Sequence, residues 1–364
     1  MREISAAVVR EPNAVSVETV DLEGPRRGEV LVDVRATGVC HTDYHAYTSA
    51  DLATPIVLGH EGAGVVEAVG EGVSTVSPGD RVVLWVLPSC GECTHCRDGK
   101  PYLCQVRRDL DGGLMDGTRR LRADDGPINH FYAQSSFASM AVVPERQVVP
   151  IDEDVPHEVA ALLGCGVTTG LGGVLNVADV DSGDSVAVFG CGGVGAGAIL
   201  AAAAVSAGTI VAVDVDEDTL EAMAEIGATH TVDAASTDPV EAIHDRVGDV
   251  DHAIECLGAP ETVRQAVETL APGGTAVITG TSDTDPAEID LGLFTRGISV
   301  VGNIVGFTRP HVDIPRYATM YRNGDLGLER LLTHRHELSD LDAAFSGFES
   351  GVGIRRVVKF GAGP

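Results

Sequence analysis

The stretch SVAVFGCGGVGAGAILAAAAV, residues 185–205, constrains the fold of this 364-residue chain more than any other. An apolar, β-branched run (Val186, Val188) meets Gly190, Gly192 and Gly195, and an alanine-rich helical stretch follows. The order is strand, glycine turn, helix. The first glycine permits the tight turn, the second lets a pyrophosphate approach the backbone, and the third packs helix against strand. The helix N-terminus at Gly193 and Val194 offers N–H donors to phosphate oxygens. A bare glycine pattern is weak evidence, and an incidental glycine-rich turn is its alternative. Here the next apolar run, TIVAVDVDE, ends in Asp214, nineteen positions after Gly195. A carboxylate at that place can hold the two hydroxyls of an adenosine ribose.

Beyond Asp214 the two periods keep alternating. LEAMAEIGA, PVEAIHDRV and ETVRQAVETLAPGG read as helices, and HTVDA, DHAIECLG and TAVITG as strands. Such alternation predicts an α/β fold with a doubly wound parallel sheet, the Rossmann architecture. The earlier residues differ: EVLVDVRATGV, GAGVVEAVG and DRVVLWVL are extended runs separated by Gly, Pro and Asp turns, which predicts a largely β, barrel-like region. IRRVVKF near the end is strand-like, too short to fold alone, and is expected to return to the first domain. Single cores stop growing beyond ~250–300 residues, so two domains are expected. The sequence shows no internal repeat and no low-complexity linker.

Charge narrows the partners. Fifty-four acidic against 25 basic residues give a net charge of -29, and only Lys100 and Lys359 are lysine. Such a surface repels nucleic acid and anionic membranes, so neither is expected as a partner. In molar salt the Debye length falls to ~3 Å and self-repulsion fades, so this composition predicts a salt-adapted protein, with an ordinary acidic one as the alternative. MREISAAVVREPNAV lacks the apolar run of a secretory signal, and AGAILAAAAVSAG falls short of the ~18 apolar residues of a membrane span. A reducing, cytoplasmic location is therefore expected.

Four of the eight cysteines crowd into CGECTHCRDGKPYLC. Cys90, Cys93 and Cys96 are spaced C-x2-C-x2-C, and Cys104 returns after a Gly-Lys-Pro turn. In a reducing compartment such spacing favours a metal over disulfides. Four thiolates close a tetrahedron around Zn2+ and leave no position for water, which makes the site structural. An iron–sulfur cluster is the remaining competitor, although the nearest bacterial spacing differs in its last interval. A second set lies in GVCHTDYH, LGHEG and LLGCGVTTG, where Cys40, His60 and Cys165 offer two thiolates and an imidazole. Three ligands leave a fourth position open, the arrangement of a catalytic zinc that polarises an alcohol or carbonyl oxygen. Singly, Cys165 reads as a small buried hydrophobe and His60 as a loop histidine; only their company argues for a metal.

With these motifs in place, the sequence resembles the zinc-dependent medium-chain alcohol dehydrogenases over essentially its whole length. GVCHTD, GHEGAGVVEAVGEGV, SPGDRV, CGECTHC with a later cysteine, LLGCGVTTG, GCGGVG and VDVD all occur as in that family. The resemblance implies a largely β, GroES-like catalytic domain over 1–166, completed by 304–364, and a Rossmann coenzyme domain over 167–303. It implies two Zn2+ per chain, with Glu61 standing behind the catalytic metal as an exchangeable ligand. Thr42 would touch the substrate hydroxyl and His45 would end a proton relay, against the alternative of a solvent-facing loop histidine. His41 and Arg355 fall at places the family uses near the cofactor pyrophosphate, and Asp43 at one that orients the His60 imidazole. Asp214, followed by VDED, favours NAD over NADP.

Within that family, GLMDGTRRL and AVVP echo the glutathione-dependent formaldehyde dehydrogenases, whereas LLGCG, GDSVAVFGCGGVG and GATHTVDAASTDPVEAI echo the mycothiol-dependent ones. His45 stands where the glutathione group has tyrosine, and the segment after Cys104 is shortened. Arg108 and Asp51 match places where the glutathione-dependent enzymes hold the charged ends of their thiol adduct. Cys191 and Cys256 carry no metal role. The expected reaction is reversible hydride transfer between NAD and a primary alcohol, or the S-hydroxymethyl adduct of a thiol, by a homodimer or homotetramer. A non-catalytic dinucleotide sensor or structural protein on the same fold would keep Gly190, Gly192, Gly195 and Asp214 but has no need of Cys40, His60, Glu61 and Cys165 together. A zinc-ribbon nucleic-acid binder is opposed by the charge.

Overall fold

The computed structural model describes residues 1–106, 110–281, 286–349, 351 and 353–361. The chain divides into two units, one of Met1–Cys165, Arg309–Asn323 and Leu332–Pro364, the other of Gly166–Thr308 and Gly324–Leu331. The expectation put the return to the first unit at 304; it comes at Arg309 instead, and Gly324–Leu331 also belongs to the second unit. Asparagine side chains explain the later return. Asn303 Oδ1 accepts from Gly306 N (2.8 Å) and Asn176 Nδ2 donates to the Gly306 carbonyl (3.0 Å), so the chain stays tied to the second unit. No helix among the described residues is long and apolar enough to cross a membrane.

The first unit is built on β-structure. Strands Arg2–Glu11, Ala14–Leu22, Leu121–Ala123, Gly126–His130 and Ile56–Val57 close a barrel. Beside it lies a seven-stranded sheet, in which Glu29–Val39 pairs antiparallel with Gly62–Val69, Met140–Pro144 and Arg355–Lys359. Alternation explains why that central strand is buried on both faces. Val30, Val32 and Val34 pack with Val66, Val82 and Val143, while Leu31 and Val39 join the barrel core with Val8, Phe137 and Phe345. IRRVVKF thus forms a strand, Arg355–Lys359, with neighbours on both sides.

The second unit holds a six-stranded sheet, all of its pairings parallel, in the order His230–Asp233, Thr209–Asp214, Ser185–Phe189, Val250–Glu255, Leu270–Ile278, Ser299–Gly302. This is the doubly wound order expected of a dinucleotide-binding unit, with a crevice where the chain reverses direction beside Ser185–Phe189. One expected helix is shorter than its pattern. The helix Pro260–Glu268 stops before TLAPGG, and the strand begins at Leu270. Pro272 cannot supply a helical N–H, and Gly273 takes a positive φ of 86°, so the backbone there favours a turn inside an extended segment.

One buried charge network ties barrel to sheet in the first unit. The fully buried Arg120 guanidinium forks onto Glu29, with Nε 3.0 Å from Oε2 and Nη2 2.5 Å from Oε1, and also reaches Asp116 (2.7 Å) and Thr118. Its backbone N–H donates to His130 Nε2 at 3.0 Å, and burial together with the Arg120 charge pushes the His130 imidazole down to about 3, so the ring is a neutral acceptor. Breaking a buried pair strands the other charge. Arg120→Met should therefore lower stability by about 3–5 kcal/mol, read as a lower denaturation midpoint; an unchanged midpoint would show that Glu29 does not need its cation.

Candidate active site

The central strand Glu29–Val39 runs out at Cys40, and the helix His41–Thr48 begins at once. Asp43, fully buried in that helix, has three partners. Its Oδ2 accepts from Cys40 N (3.1 Å), and its Oδ1 accepts from Gly59 N (3.0 Å) and lies 2.9 Å from His60 Nδ1. The carboxylate thereby fixes the helix start, the Gly59 turn and the orientation of the His60 ring. With Nδ1 committed, Nε2 is the remaining ligand atom; it is buried and has no hydrogen-bond partner. Cys165 comes from the segment that follows the helix His157–Leu162.

One ligand atom each from Cys40, His60, Glu61 and Cys165 lies within 4.8 Å of every other, and all four residues are buried. Hydrogen bonding from Cys165 holds the Cys40 thiol well below its usual value, and Cys165 is pushed well above. Burial by itself would lower the His60 imidazole, but the Asp43 carboxylate outweighs it and raises that ring well above its usual value. Two sulfurs beside a ring nitrogen without a hydrogen-bond partner in a buried site make a donor set that a soft divalent cation would complete, letting both thiols ionise. Zinc suits this set.

Arg355, expected near a pyrophosphate, also reaches this site: its Nη2 pairs with Glu61 Oε2, and the side chain is 5% exposed. The physical reason is charge, since a buried carboxylate next to thiolates needs a cation. Gly38 makes room for the pair, because a Cβ there would collide with the Glu61 carboxylate.

The other four cysteines also converge, with Cys90, Cys93, Cys96 and Cys104 sulfurs mutually within 4.8 Å. Backbone N–H groups already point at them. Cys90 Sγ accepts from Glu92 N (3.4 Å) and Cys93 N (3.3 Å), and Cys104 Sγ from Cys90 N (3.3 Å). Donors from Gln105 and Cys96 bring Cys93 down to about 6, while burial pushes Cys96 up to about 12. Four sulfurs with N–H support, and no oxygen or nitrogen ligand joining them among the described residues, fit a closed zinc site.

In the second unit, Gly190 adopts φ 85°, outside the range of most side chains, and a Cβ on Gly195 would run into the Gly190 carbonyl. Gly192, which precedes the helix Gly193–Ala204, faces open space. Asp214 Oδ2 accepts from Cys191 N (2.7 Å), so the acid and the glycine turn meet. Beside them a largely apolar pocket is lined by Phe189, Gly190, Val213 and Leu257, with Asp214 and Gln265 among its polar members, a lining that suits an aromatic base.

Three of the remaining candidates, His41, Thr42 and His45, lie on the His41–Thr48 helix. Thr42 is half-buried, and His41 and His45 are exposed with ring centroids 4.6 Å apart. Asp51 is exposed, with its N–H on Ser49 Oγ at 3.2 Å, and Arg108 lies outside the described residues. Two residues at the site left no sequence signal. Phe131 and Tyr132 flank the His60 ring at 5.7 and 5.4 Å, placed by a turn in which Tyr132, Ala133 and Ser135 all take positive φ without being glycine. Cys96→Ser should lose one zinc per chain and lower the thermal midpoint while keeping activity in the folded fraction. Cys165→Ser should lose the other zinc and activity with little change in midpoint. Metal analysis beside a thermal melt checks both, and zinc loss without that division would contradict separate roles.

Residues 26–153 match the alcohol dehydrogenase GroES-like domain, and residues 193–320 match the zinc-binding dehydrogenase domain. Similar curated proteins include the S-(hydroxymethyl)glutathione dehydrogenase of Haemophilus influenzae, 39% identical with 98% of this chain and 97% of that one covered. Another is that of Paracoccus denitrificans, 35% identical with 99% and 100% covered. Among solved structures, an alcohol dehydrogenase zinc-binding domain protein from Burkholderia ambifaria matches with a TM-score of 0.95 at 36% identity, covering 99% of this chain and 100% of that one. Benzyl alcohol dehydrogenase from Acinetobacter calcoaceticus matches with a TM-score of 0.94 at 33% identity, with the same coverage. Identity of this extent, over nearly all of a chain that assembles both sets of zinc ligands, means that the chain belongs to the zinc-dependent medium-chain alcohol dehydrogenase family.

Proposed function

We propose that this protein catalyses reversible hydride transfer between NAD and a primary alcohol or the S-hydroxymethyl adduct of a low-molecular-weight thiol. The observation that carries the reading is the buried donor set of Cys40, His60, Glu61 and Cys165. A dinucleotide sensor needs the glycine turn and Asp214 but gains nothing from a dry cluster of thiols, imidazole and carboxylate. When bound, the metal supplies a Lewis acid and the nicotinamide a hydride acceptor.

The chain's own residues do the rest. Asp43 holds the proton on His60 Nδ1, so the ring presents Nε2 as a ligand. Glu61, paired with Arg355, keeps a carboxylate available as an exchangeable ligand. Thr42 takes the hydrogen bond of the alcohol hydroxyl, and the exposed His45 passes the proton to solvent. His41 holds a pyrophosphate oxygen, with Arg355 contributing its charge from behind. Asp214 binds the adenosine ribose hydroxyls and opposes a 2'-phosphate by like charge. The names of the curated relatives support the thiol adduct, and Asp51 and Arg108 are the residues we assign to its charged ends. The family resemblance further suggests a homodimer or homotetramer in the cytoplasm.

Comparing kcat/KM for simple primary alcohols with that for S-hydroxymethyl adducts, using NAD and then NADP, tests the proposal. We expect an adduct to be the best substrate, with Arg108→Ala raising KM for that adduct while turnover of small uncharged alcohols stays near the original. We also expect NAD to be preferred. No advantage for any adduct would leave a general alcohol dehydrogenase, and a clear preference for NADP would overturn the role given to Asp214.

A further inference from the structure

We propose that Phe348, seated on Arg356, is a positioning residue that holds the His41 imidazole ready for the cofactor pyrophosphate; the proposal rests on the pyrophosphate role given to His41 above. The helix Leu341–Glu349 lies against the His41–Thr48 helix in the first unit. At one end the Tyr47 hydroxyl donates to Asp342 Oδ1 (2.8 Å), and the Tyr47 ring stacks on Phe345 with centroids 4.5 Å apart. Those contacts already dock the two helices. At the other end Phe348 meets His41 in a T-shaped contact (5.3 Å, 72°) and tilts against Tyr44 (5.7 Å).

Beneath Phe348 lies a buried cation. The Arg356 side chain belongs to the strand Arg355–Lys359 and is 4% exposed; its guanidinium carbon is 5.1 Å from the Phe348 centroid, and its Nη2 donates to the Gly347 carbonyl at 2.7 Å. A Cβ on Gly347 would collide with that guanidinium, so glycine keeps the seat open. Burying a guanidinium is costly, and a hydrophobe of similar volume would fill the space more cheaply. Arg356 does what such a filler cannot: it grips the ring face through its charge and fixes Phe348 from below.

The consequence falls on His41. Its ring is exposed, stands 4.6 Å from His45 and meets Tyr44 edge-on at 5.7 Å, so Phe348, at 5.3 Å the nearer of its two T-shaped partners, is the contact from the facing helix that limits its turning about the side-chain torsions. A T-shaped aromatic contact narrows that freedom before the ligand arrives, and preorganisation of this kind appears as affinity. His41 would contact the cofactor, whereas Phe348 and Arg356 act only through it.

The test uses the zinc-loaded full chain and ADP-ribose, which carries the pyrophosphate without the nicotinamide, with Kd measured by calorimetry. Phe348→Leu should raise Kd roughly 3- to 10-fold, while Phe348→Tyr, which keeps the ring, should stay within about twofold. In a His41→Ala background, Phe348→Leu should add nothing, because the contact it removes is already gone. If Phe348→Leu does not fold, Arg356→Met carries the same cycle by removing the cation and leaving the ring. The positioning role is overturned if Phe348→Leu lowers the thermal midpoint but leaves Kd unchanged, or raises Kd equally in both backgrounds. If His41→Ala itself leaves Kd unchanged, the pyrophosphate role of His41 has failed and the proposal with it, an outcome separable from the first because the single variants are read independently.

Discussion

One buried carboxylate, Asp43, is the point on which the active site depends. It accepts from the backbone at Cys40 and at Gly59 and holds the ring of His60, so segments far apart in sequence converge on two oxygens. An acid in that position is tolerated only because every bond it makes is to a donor that must itself be satisfied. The geometry of the donor set follows. Cys40 sits where strand gives way to helix, His60 follows a glycine turn, and the ring nitrogen between them has nothing else to bind.

The two cysteine clusters differ in physical kind, and the difference assigns their roles. The four-cysteine loop supplies sulfur only, with backbone N–H groups directed at its sulfurs, and three of its members are half-buried. A metal there is closed off by its own ligands and contributes by tying the loop together. The second cluster is fully buried and mixes sulfur, nitrogen and a carboxylate that is held back by Arg355. Under the proposed function, a metal held by Cys40, His60 and Cys165, with Glu61 as an exchangeable fourth ligand, would be able to take another oxygen. Stability and chemistry are thereby separated within one unit.

Much of this was legible in the sequence, because the residues concerned are constrained chemically. The glycine turn with its distant acid, the four-cysteine spacing and the joint company of Cys40, His60 and Cys165 each admit few other uses, Glu61 came only through the family resemblance, and the alternating strand and helix periods led to the right sheet. The pairing of Arg355 with Glu61 was not legible, since position in a strand does not reveal which side-chain charge a buried guanidinium will meet. The Arg120 to Glu29 pair, the Phe131 and Tyr132 turn and the Arg356 seat were not legible. All three depend on contacts between distant segments, and the left-handed turn uses Tyr, Ala and Ser where a pattern reader looks for glycine. TLAPGG was misread for a local reason, as the helical period ran on into a proline and glycines that end it.

The central claim is that one metal site is closed and the other can take an outside ligand. Replacing both zinc ions with cobalt(II), and following the visible absorption while imidazole is added, tests it directly, since cobalt bands report the ligands around the ion. The account predicts that one of two cobalt ions per chain changes its bands, and that Cys165→Ser removes the responding ion while leaving the unresponsive one. A spectrum in which both ions respond, or neither does, would contradict it.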